Sequence, residues 1–145
     1  LRAVAPVAAA AVLGNVFIGR QSMEWFASLR RPKMQLPMPG FYVVGGTYYL
    51  LMSVVVHRAL ASGDKDSYRR AMAVLVGNEL WNLLFFGRRS TRAGFLGIVA
   101  FTVPLLRLQA SVATDAVSTL SLSPYSLWVI GYDIPWTYQL WRLNP

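Results

Sequence analysis

Residues 43–56 read VVGGTYYLLMSVVV, and residues 95–106 read FLGIVAFTVPLL. Neither stretch contains Asp, Glu, Lys, Arg or His. An amphipathic helix on a water-soluble protein carries a polar face opposite its apolar stripe, and these stretches have no such face. A helix that is apolar on every side is typical of a segment that lies in a lipid bilayer.

The rest of the chain follows the same pattern of long apolar runs separated by charged loops. Glu79, Arg107 and Asp133 are the only charged side chains well inside the remaining runs. A helix that crosses a membrane needs about 20 mostly apolar residues. We therefore predict an all-α membrane protein, a single domain over residues 1–145 that forms a bundle of five transmembrane helices. The predicted spans are approximately 3–23, 40–61, 69–88, 93–113 and 123–142.

The composition excludes several other classes of protein. Of the 145 residues, 55% are hydrophobic and 14% are charged, whereas an ordinary soluble domain carries about 25% charged residues. The chain has no Cys, and its one His is His57, so we expect no disulfide framework and no metal site. One alternative for the first segment is a secretory signal, because Arg2 precedes an Ala-rich run. That run has no convincing small-residue cleavage site.

The net charge of +8 comes from basic residues that flank the apolar runs. They form no basic stripe along one helix, so we expect no nucleic-acid partner. With five spans, eight Lys and Arg residues lie on the side of the first and third loops and five lie on the other side. Basic residues favour the cytosolic side, so we expect the N-terminus to face away from the cytosol. A bacterial cell membrane and an organelle outer membrane both fit this pattern.

Aromatic, proline and amide residues cluster at three places. The loop after the first span has the pattern W-F-x-x-L-x-x-P, followed by further prolines and an aromatic residue. In the third span, four residues spaced i, i+3, i+4 and i+7 place two amides and two aromatic rings on one face. The fifth span begins P-Y-x-x-W. The residues concerned are Trp25, Phe26, Leu29, Pro32, Pro37 and Phe41, then Asn78, Trp81, Asn82 and Phe85, then Pro124, Tyr125, Trp128 and Tyr132.

Together with Tyr49 in an L-M-S-ending second helix and the closing Arg142-Leu143-Asn144, this order of motifs resembles the translocator protein family. Its members are also called tryptophan-rich sensory proteins (TspO) or peripheral-type benzodiazepine receptors. The resemblance implies a five-helix bundle, commonly a homodimer, with a cavity beneath the first loop that receives porphyrins, haem or related hydrophobic molecules. Some members bind sterols and benzodiazepine-type ligands. The ligand-binding residues implied here are Trp25, Phe26, Pro32, Pro37, Phe41, Tyr49, Asn78, Trp81, Phe85, Tyr125 and Trp128.

The chain departs from the family pattern at three places. Residues 34–37 read MQLP where an aromatic-rich W-x-P-P is usual, and Gly45 takes the place of a tryptophan that is common early in the second helix. The sterol-recognition pattern is broken, because no Leu or Val lies at the required distance before Tyr138. We therefore expect a less aromatic cavity wall, and we expect sterol binding less than tetrapyrrole binding.

These residues predict a membrane binding protein for a planar hydrophobic ligand, with no catalytic residue and no required cofactor. A porphyrin-degrading enzyme and a transporter of tetrapyrroles or other lipophilic molecules are the alternatives. Two interpretations are open for the charges within the spans: an Arg107–Asp133 ion pair in which each satisfies the other, or an Arg107 side chain that extends along its helix to the membrane surface. Small residues at Ala73 and Gly77 suit a dimer contact through the third helix, and Gly45 and Gly46 suit a close helix approach.

Overall fold

The computed structural model describes residues 2–145 and contains helices but no strand among them. Two of the helices continue through a π-helical turn, so that the chain from residue 65 to 87 and the chain from 116 to 143 each run as one rod. The α-helices are α1 (Val4–Phe17), α2 (Arg20–Ser28), α3 (Met38–Ser62), α4 (Lys65–Asn82), α5 (Thr91–Ser111), α6 (Ala116–Trp128) and α7 (Ile134–Leu143). The π-helical turns are Leu83–Gly87 and Val129–Asp133.

The first predicted span, 3–23, is not one straight helix. The helix ends at Phe17, Gly19 is extended, and α2 then leaves at an angle of 64° to α1. The bend lets α2 bury Phe26 in an aromatic cluster, and the Ser22 hydroxyl donates to the Phe86 carbonyl at 3.0 Å. The hydrophobic run alone did not reveal this break, because packing of α2 against the rest of the molecule determines it.

The second and fourth predicted spans are confirmed as helices, with ends set by recognisable signals. Helix α3 starts after Pro37 and ends at Gly63, whose φ of +70° is a left-handed conformation that glycine adopts readily. In α5 the Ser90 side chain accepts from the Ala93 N–H at 3.1 Å. Each helix is long and apolar enough to cross a membrane by itself.

The helices of the third and fifth predicted spans start earlier in the chain than the prediction placed them. Asp64 caps α4 by accepting from the backbone of Asp66 and Ser67, so the helix starts at residue 65 and not at 69. The last rod starts at residue 116 and not at 123. Its first turns are rich in Ser and Thr, and the Ser123 hydroxyl bonds back to the Thr119 carbonyl at 2.6 Å, which keeps these polar residues compatible with a helix.

The described helices confirm an all-helical protein with apolar helices that can span a membrane, while the count of five spans stays a prediction. Only α3 and α5 meet the length and composition of a span singly, and α1 with α2 meets them as a bent pair. Large apolar side chains are exposed on the outside of the helices, as a lipid-facing surface requires. Among them are Val12, Leu50, Val76, Leu96, Leu120 and Leu127.

The interior has an aliphatic region and an aromatic region. Helices α1, α3, α4, α5 and α6 bury the first around Met52, Val55 and Leu105. The second consists of Phe26, Phe85, Phe86, Trp136 and Leu140, contributed by α2, the first π-helical turn and α7. The aromatic region lies where the bent α2 meets the C-terminal rod.

The helix ends far from this aromatic region are joined by an ion pair. Arg58 of α3 donates through two nitrogens to the carboxylate of Asp115 in the α5–α6 loop, a bidentate arrangement. The Arg58 hydrogen bond, followed by that from the Ser118 hydroxyl, holds the pKa of Asp115 well below its usual value. Near it, backbone and side-chain hydrogen bonds from Ser67 lower the pKa of Asp64.

Candidate functional site

A cavity of about 370 Å³ lies between α1, α2, α3, α4 and the C-terminal rod. This volume is within the range of about 300–1,000 Å³ that small-molecule sites occupy. Most of its wall is apolar, with aromatic rings and a few polar groups. The lining residues are Ala11, Gly14, Asn15, Ile18, Met23, Phe26, Met38, Phe41, Tyr42, Val44, Gly45, Gly46, Tyr48, Tyr49, Asn78, Trp81, Asn82, Phe86, Tyr125, Trp128, Asp133 and Trp136.

Aromatic rings of the C-terminal rod form one side of the cavity. Trp128 stacks on Tyr132 with ring centroids 4.2 Å apart, and Tyr132 is nearly parallel to Trp136, with centroids 6.2 Å apart. Phe41 of α3 contacts Trp136 at 5.0 Å. The three rings recur at four-residue spacing; Trp128 and Trp136 line the cavity, and Tyr132 packs between them. The two tryptophans present flat apolar surfaces of the kind on which a planar ligand stacks.

A second aromatic group stands where α3 meets α6. The rings of Tyr48 and Tyr125 lie 4.5 Å apart, and those of Tyr48 and Tyr49 lie 4.9 Å apart. Tyr48 is 3% exposed, and its hydroxyl has no hydrogen-bond partner within the part of the chain that the structure describes. All three tyrosines line the cavity, which places phenolic rings on the wall next to Gly45 and Gly46.

The carboxylate of Glu79 is held by a network of side chains at the edge of the cavity. Its Oε1 accepts from the Tyr49 hydroxyl at 2.9 Å and from Asn78 Nδ2 at 3.2 Å. Its Oε2 accepts from Asn82 Nδ2 at 3.2 Å. Gly14 allows α1 to approach, because a Cβ there would overlap Oε2. Both amides of α4 therefore bond to Glu79, and the Tyr49 contact joins α3 to α4.

The predicted ion pair between Arg107 and Asp133 is wrong. Arg107 lies on the exposed side of α5, whereas Asp133 is half-buried and lines the cavity. Within residues 2–145, the ion pairs are Arg20–Glu24, Arg58–Asp115 and Arg70–Asp66. The π-helical turn at Val129–Asp133 adds a residue to the rod and rotates Asp133 away from the position that an ideal helix implies.

Seven of the eleven predicted ligand-binding residues line the cavity, and four do not. Phe85 is fully buried behind Trp81, with the two rings stacked at 5.2 Å, so it supports the wall from behind. Trp25 packs edge-on against Phe85 at 5.4 Å, Pro32 is buried in the first loop, and Pro37 is exposed. The seven lining residues are Phe26, Phe41, Tyr49, Asn78, Trp81, Tyr125 and Trp128.

The first loop, residues 29–37, is tied to the C-terminal rod. Asn144 Oδ1 accepts from the Arg30 N–H, and Asn144 Nδ2 donates to the Arg30 carbonyl, both at 2.9 Å. The Tyr132 hydroxyl donates to the Met34 carbonyl at 3.0 Å and accepts from the Leu36 N–H at 2.9 Å. The loop itself contributes no lining residue, but its two ends lead to Phe26 and Phe41, which do line the cavity.

The structure gives the small residues of α3 and α4 roles other than those expected from the sequence. A Cβ at Gly77 would lie 3.0 Å from Cδ2 of Phe101, so this glycine serves close packing of α4 against α5 within one chain. Ala73 is exposed. The expected close approach at Gly45 and Gly46 is wrong, because a Cβ at either position meets nothing within 4 Å. Both face the cavity, so the glycines widen it.

Comparison with known proteins agrees with these features. The model of the TspO/MBR family matches residues 3–142 of the chain. The chain belongs to this family. It is 27% identical to the Tryptophan-rich protein TspO of Archaeoglobus fulgidus over 81% of this chain and 78% of the relative. It is 28% identical to Protein CrtK of Rhodobacter capsulatus over 83% of this chain and 79% of the relative. The TspO of Chlorobaculum tepidum is 25% identical, with coverage of 91% and 87%.

The resemblance derived from the sequence is thus confirmed, and this TspO/MBR family member is a membrane protein. The structure adds lining residues that the sequence reasoning left out. Trp136 is the clearest, since it lies four residues after Tyr132 and eight after Trp128, a spacing that marks one helix face. Asp133 was marked in the sequence as a charge within a span, but not as a cavity residue, and Tyr48 had no comparable signal. Tertiary packing and the π-helical turn decide where these side chains lie.

Proposed function

We propose that this family member binds a planar hydrophobic ligand inside its helix bundle and has a sensing or transport-related regulatory role. A tetrapyrrole such as protoporphyrin IX is the first candidate. The observation that carries the proposal is the apolar cavity of about 370 Å³ whose walls are aromatic rings from four separate segments. Stacking and burial of a flat apolar surface are the interactions that such walls supply.

The location of basic residues fits a ligand with acidic edge groups. Five exposed Lys and Arg residues lie in the first loop and directly after Phe86, next to segments that line the cavity. A porphyrin held between the rings with its propionates directed to these residues would place charge in water and the macrocycle in the apolar interior. The residues are Arg30, Arg31, Lys33, Arg88 and Arg89.

Titration of detergent-purified protein with protoporphyrin IX tests the proposal. Binding is followed by quenching of tryptophan fluorescence, corrected for the inner filter effect, and by the porphyrin absorbance band. We expect saturable binding in the wild type and binding weakened about tenfold or more in Trp128→Ala, which loses a stacking wall. Trp128→Phe keeps an aromatic ring and is expected to lie between the two.

Trp141→Ala is the matched control, since it also removes one tryptophan. Trp141 lies outside the cavity and stacks on Phe95, with ring centroids 5.6 Å apart. We expect its affinity to equal that of the wild type after correction for the lost fluorophore. Absence of saturable binding to the wild type would overturn the tetrapyrrole proposal. If Trp141→Ala lost as much affinity as Trp128→Ala, the effect of Trp128 would be on the fold and not on the ligand.

We also propose that the rods form five spans with the N-terminus away from the cytosol, in a homodimer. Two observations favour five crossings. The rods at residues 65–87 and 116–143 are long enough to cross a bilayer when each π-helical turn is counted with its helices. Apolar side chains cover the outer faces of both rods. Reporter fusions at either terminus test the orientation, and chemical cross-linking in membranes tests the dimer.

A further inference from the structure

Two polar side chains of the described cavity wall keep hydrogen-bonding capacity that a ligand could use. Tyr48 is 3% exposed, lines the cavity, and has a hydroxyl with no hydrogen bond. Asp133 lines the same cavity beside Trp128, whose indole N–H donates to its carboxylate, and within residues 2–145 no ion pair reaches that carboxylate. A carboxylate can accept several hydrogen bonds, so one indole N–H leaves most of its acceptor capacity free. A carboxylate facing an apolar space is costly unless a donor pairs with it.

The amide groups of the wall already donate to partners within the protein. Asn15 Nδ2 donates to the Ala11 carbonyl of its own helix, and the amides of Asn78 and Asn82 donate to Glu79. No Lys, Arg or His is found among the described residues that line the cavity. Asp133 is thus the one acidic side chain among the described residues that line the cavity, and the wall offers no cation that would pair with it or neutralise an acidic ligand group placed beside it.

We propose that the ligand presents a nitrogen-bound proton to Asp133. The proposal rests on the proposed function, because it names the chemistry that this same cavity selects among flat apolar molecules. Either a protonated amine or a neutral pyrrole-type N–H supplies that proton, and the Tyr48 hydroxyl offers a second polar contact on the same wall. If the ligand is a tetrapyrrole, its pyrrole N–H groups lie against Asp133. Its propionates point away from Asp133, since two carboxylates repel one another.

Two matched pairs of tricyclic probes test the proposal and separate the two sources of the proton. The compound 9-aminoacridine is a flat cation at neutral pH, and acridine is its neutral counterpart. Carbazole has a neutral N–H, and fluorene has the same shape without it. Each probe is titrated into wild-type protein, Asp133→Asn and Asp133→Ala in a non-ionic detergent, and dissociation constants are read from tryptophan quenching. Asp66→Asn removes an exposed carboxylate on α4 and serves as the charge control.

If a cation is selected, wild-type protein binds 9-aminoacridine at least about tenfold more tightly than acridine, and both Asp133 variants lose the preference. If a neutral N–H is selected, carbazole binds more tightly than fluorene by several-fold. Asp133→Asn then keeps much of that preference through its amide oxygen, and Asp133→Ala abolishes it. Asp66→Asn behaves as the wild type in either case.

The proposal is overturned if wild-type protein distinguishes neither pair, or if a preference survives in Asp133→Ala. Equal binding of all four probes leaves the planar-ligand site standing and rejects only the role of Asp133. Failure to bind any probe, in protein that still binds protoporphyrin IX, likewise rejects this inference alone. Failure to bind both the probes and protoporphyrin IX rejects the proposed function as well.

Discussion

Replacement of Gly94 by Ala tests how tightly the aromatic region is fixed. Gly94 of α5 lies against the ring of Phe85, and a Cβ there would overlap Cδ2 of that ring and lie 3.1 Å from Cε2. Phe85 is fully buried and contacts the rings of Trp25, Phe26, Trp81 and others, so it has no free space into which to move. The added methyl group therefore has to separate α4 from α5 or distort the ring cluster.

The expected cost follows from two opposing effects. Overpacking a filled interior costs about 1–3 kcal/mol, while replacing Gly by Ala within a helix stabilises by about 0.5–1 kcal/mol. The difference of the two effects is a fall of about 0–2.5 kcal/mol in the free energy of unfolding. Because the added Cβ overlaps Cδ2 of a fully buried ring, we expect Gly94→Ala to lie in the upper part of that range, at about 1–2 kcal/mol. For a chain of this size that lowers Tm by roughly 2–8 °C. Gly46→Ala is the matched control, because a Cβ at Gly46 meets nothing within 4 Å and only the stabilising effect remains.

Intrinsic tryptophan fluorescence during heating at one fixed scan rate measures both variants. We expect Gly94→Ala to unfold below the wild type and Gly46→Ala to unfold at or above it. Affinity for protoporphyrin IX should also fall in Gly94→Ala, since the indole N–H of the cavity-lining Trp81 donates to the Gly94 carbonyl at 2.9 Å. If Gly94→Ala is as stable as Gly46→Ala, Phe85 is not fixed by its neighbours.

Three further perturbations follow from the structure. Gly45→Trp fills open space on the cavity wall, so it should tighten protoporphyrin IX binding about two- to tenfold by stacking, whereas Gly45→Leu, measured in the same titration, should not. Asn144→Ala removes both bonds to the Arg30 backbone. Limited trypsin digestion should then cut the first loop faster than in wild type, and an unchanged rate would count against the tether. The pKa of Asp115 is lowered in the fold, mainly by Arg58, so its contribution to stability is present above the unfolded pKa of about 3.9 and is lost as pH falls towards the folded value. Tm measured against pH should decline less in acid for Asp115→Asn than for the wild type.

The sequence was a good guide where a single helix carried the information. The apolar runs placed α3 and α5 within two residues at each end, because Pro37, Gly63 and Ser90 mark helix ends through local backbone chemistry. The same reasoning misplaced the start of the last rod by seven residues. There Ser and Thr side chains bond to carbonyls of their own helix, and composition alone does not distinguish that from a polar loop.

The candidate site was predicted in part. Phe26, Trp81 and Trp128 were identified from motifs whose aromatic residues recur on one face, and all three line the cavity. Phe85 belonged to the same helical pattern, yet it lies behind Trp81, because the π-helical turn that begins at Leu83 changes the register of the face. No pattern in the sequence announces that turn.

The family, the all-helical class and the membrane environment were predictable from the amino-acid sequence, since they depend on composition and on the order of short motifs. Tertiary structure decided how α2 bends, which rings enclose the cavity, and that Asp133 faces the cavity while Arg107 does not. The physical reason is that these properties depend on contacts between segments far apart in the chain. Helix periodicity reports only on neighbours within a few turns.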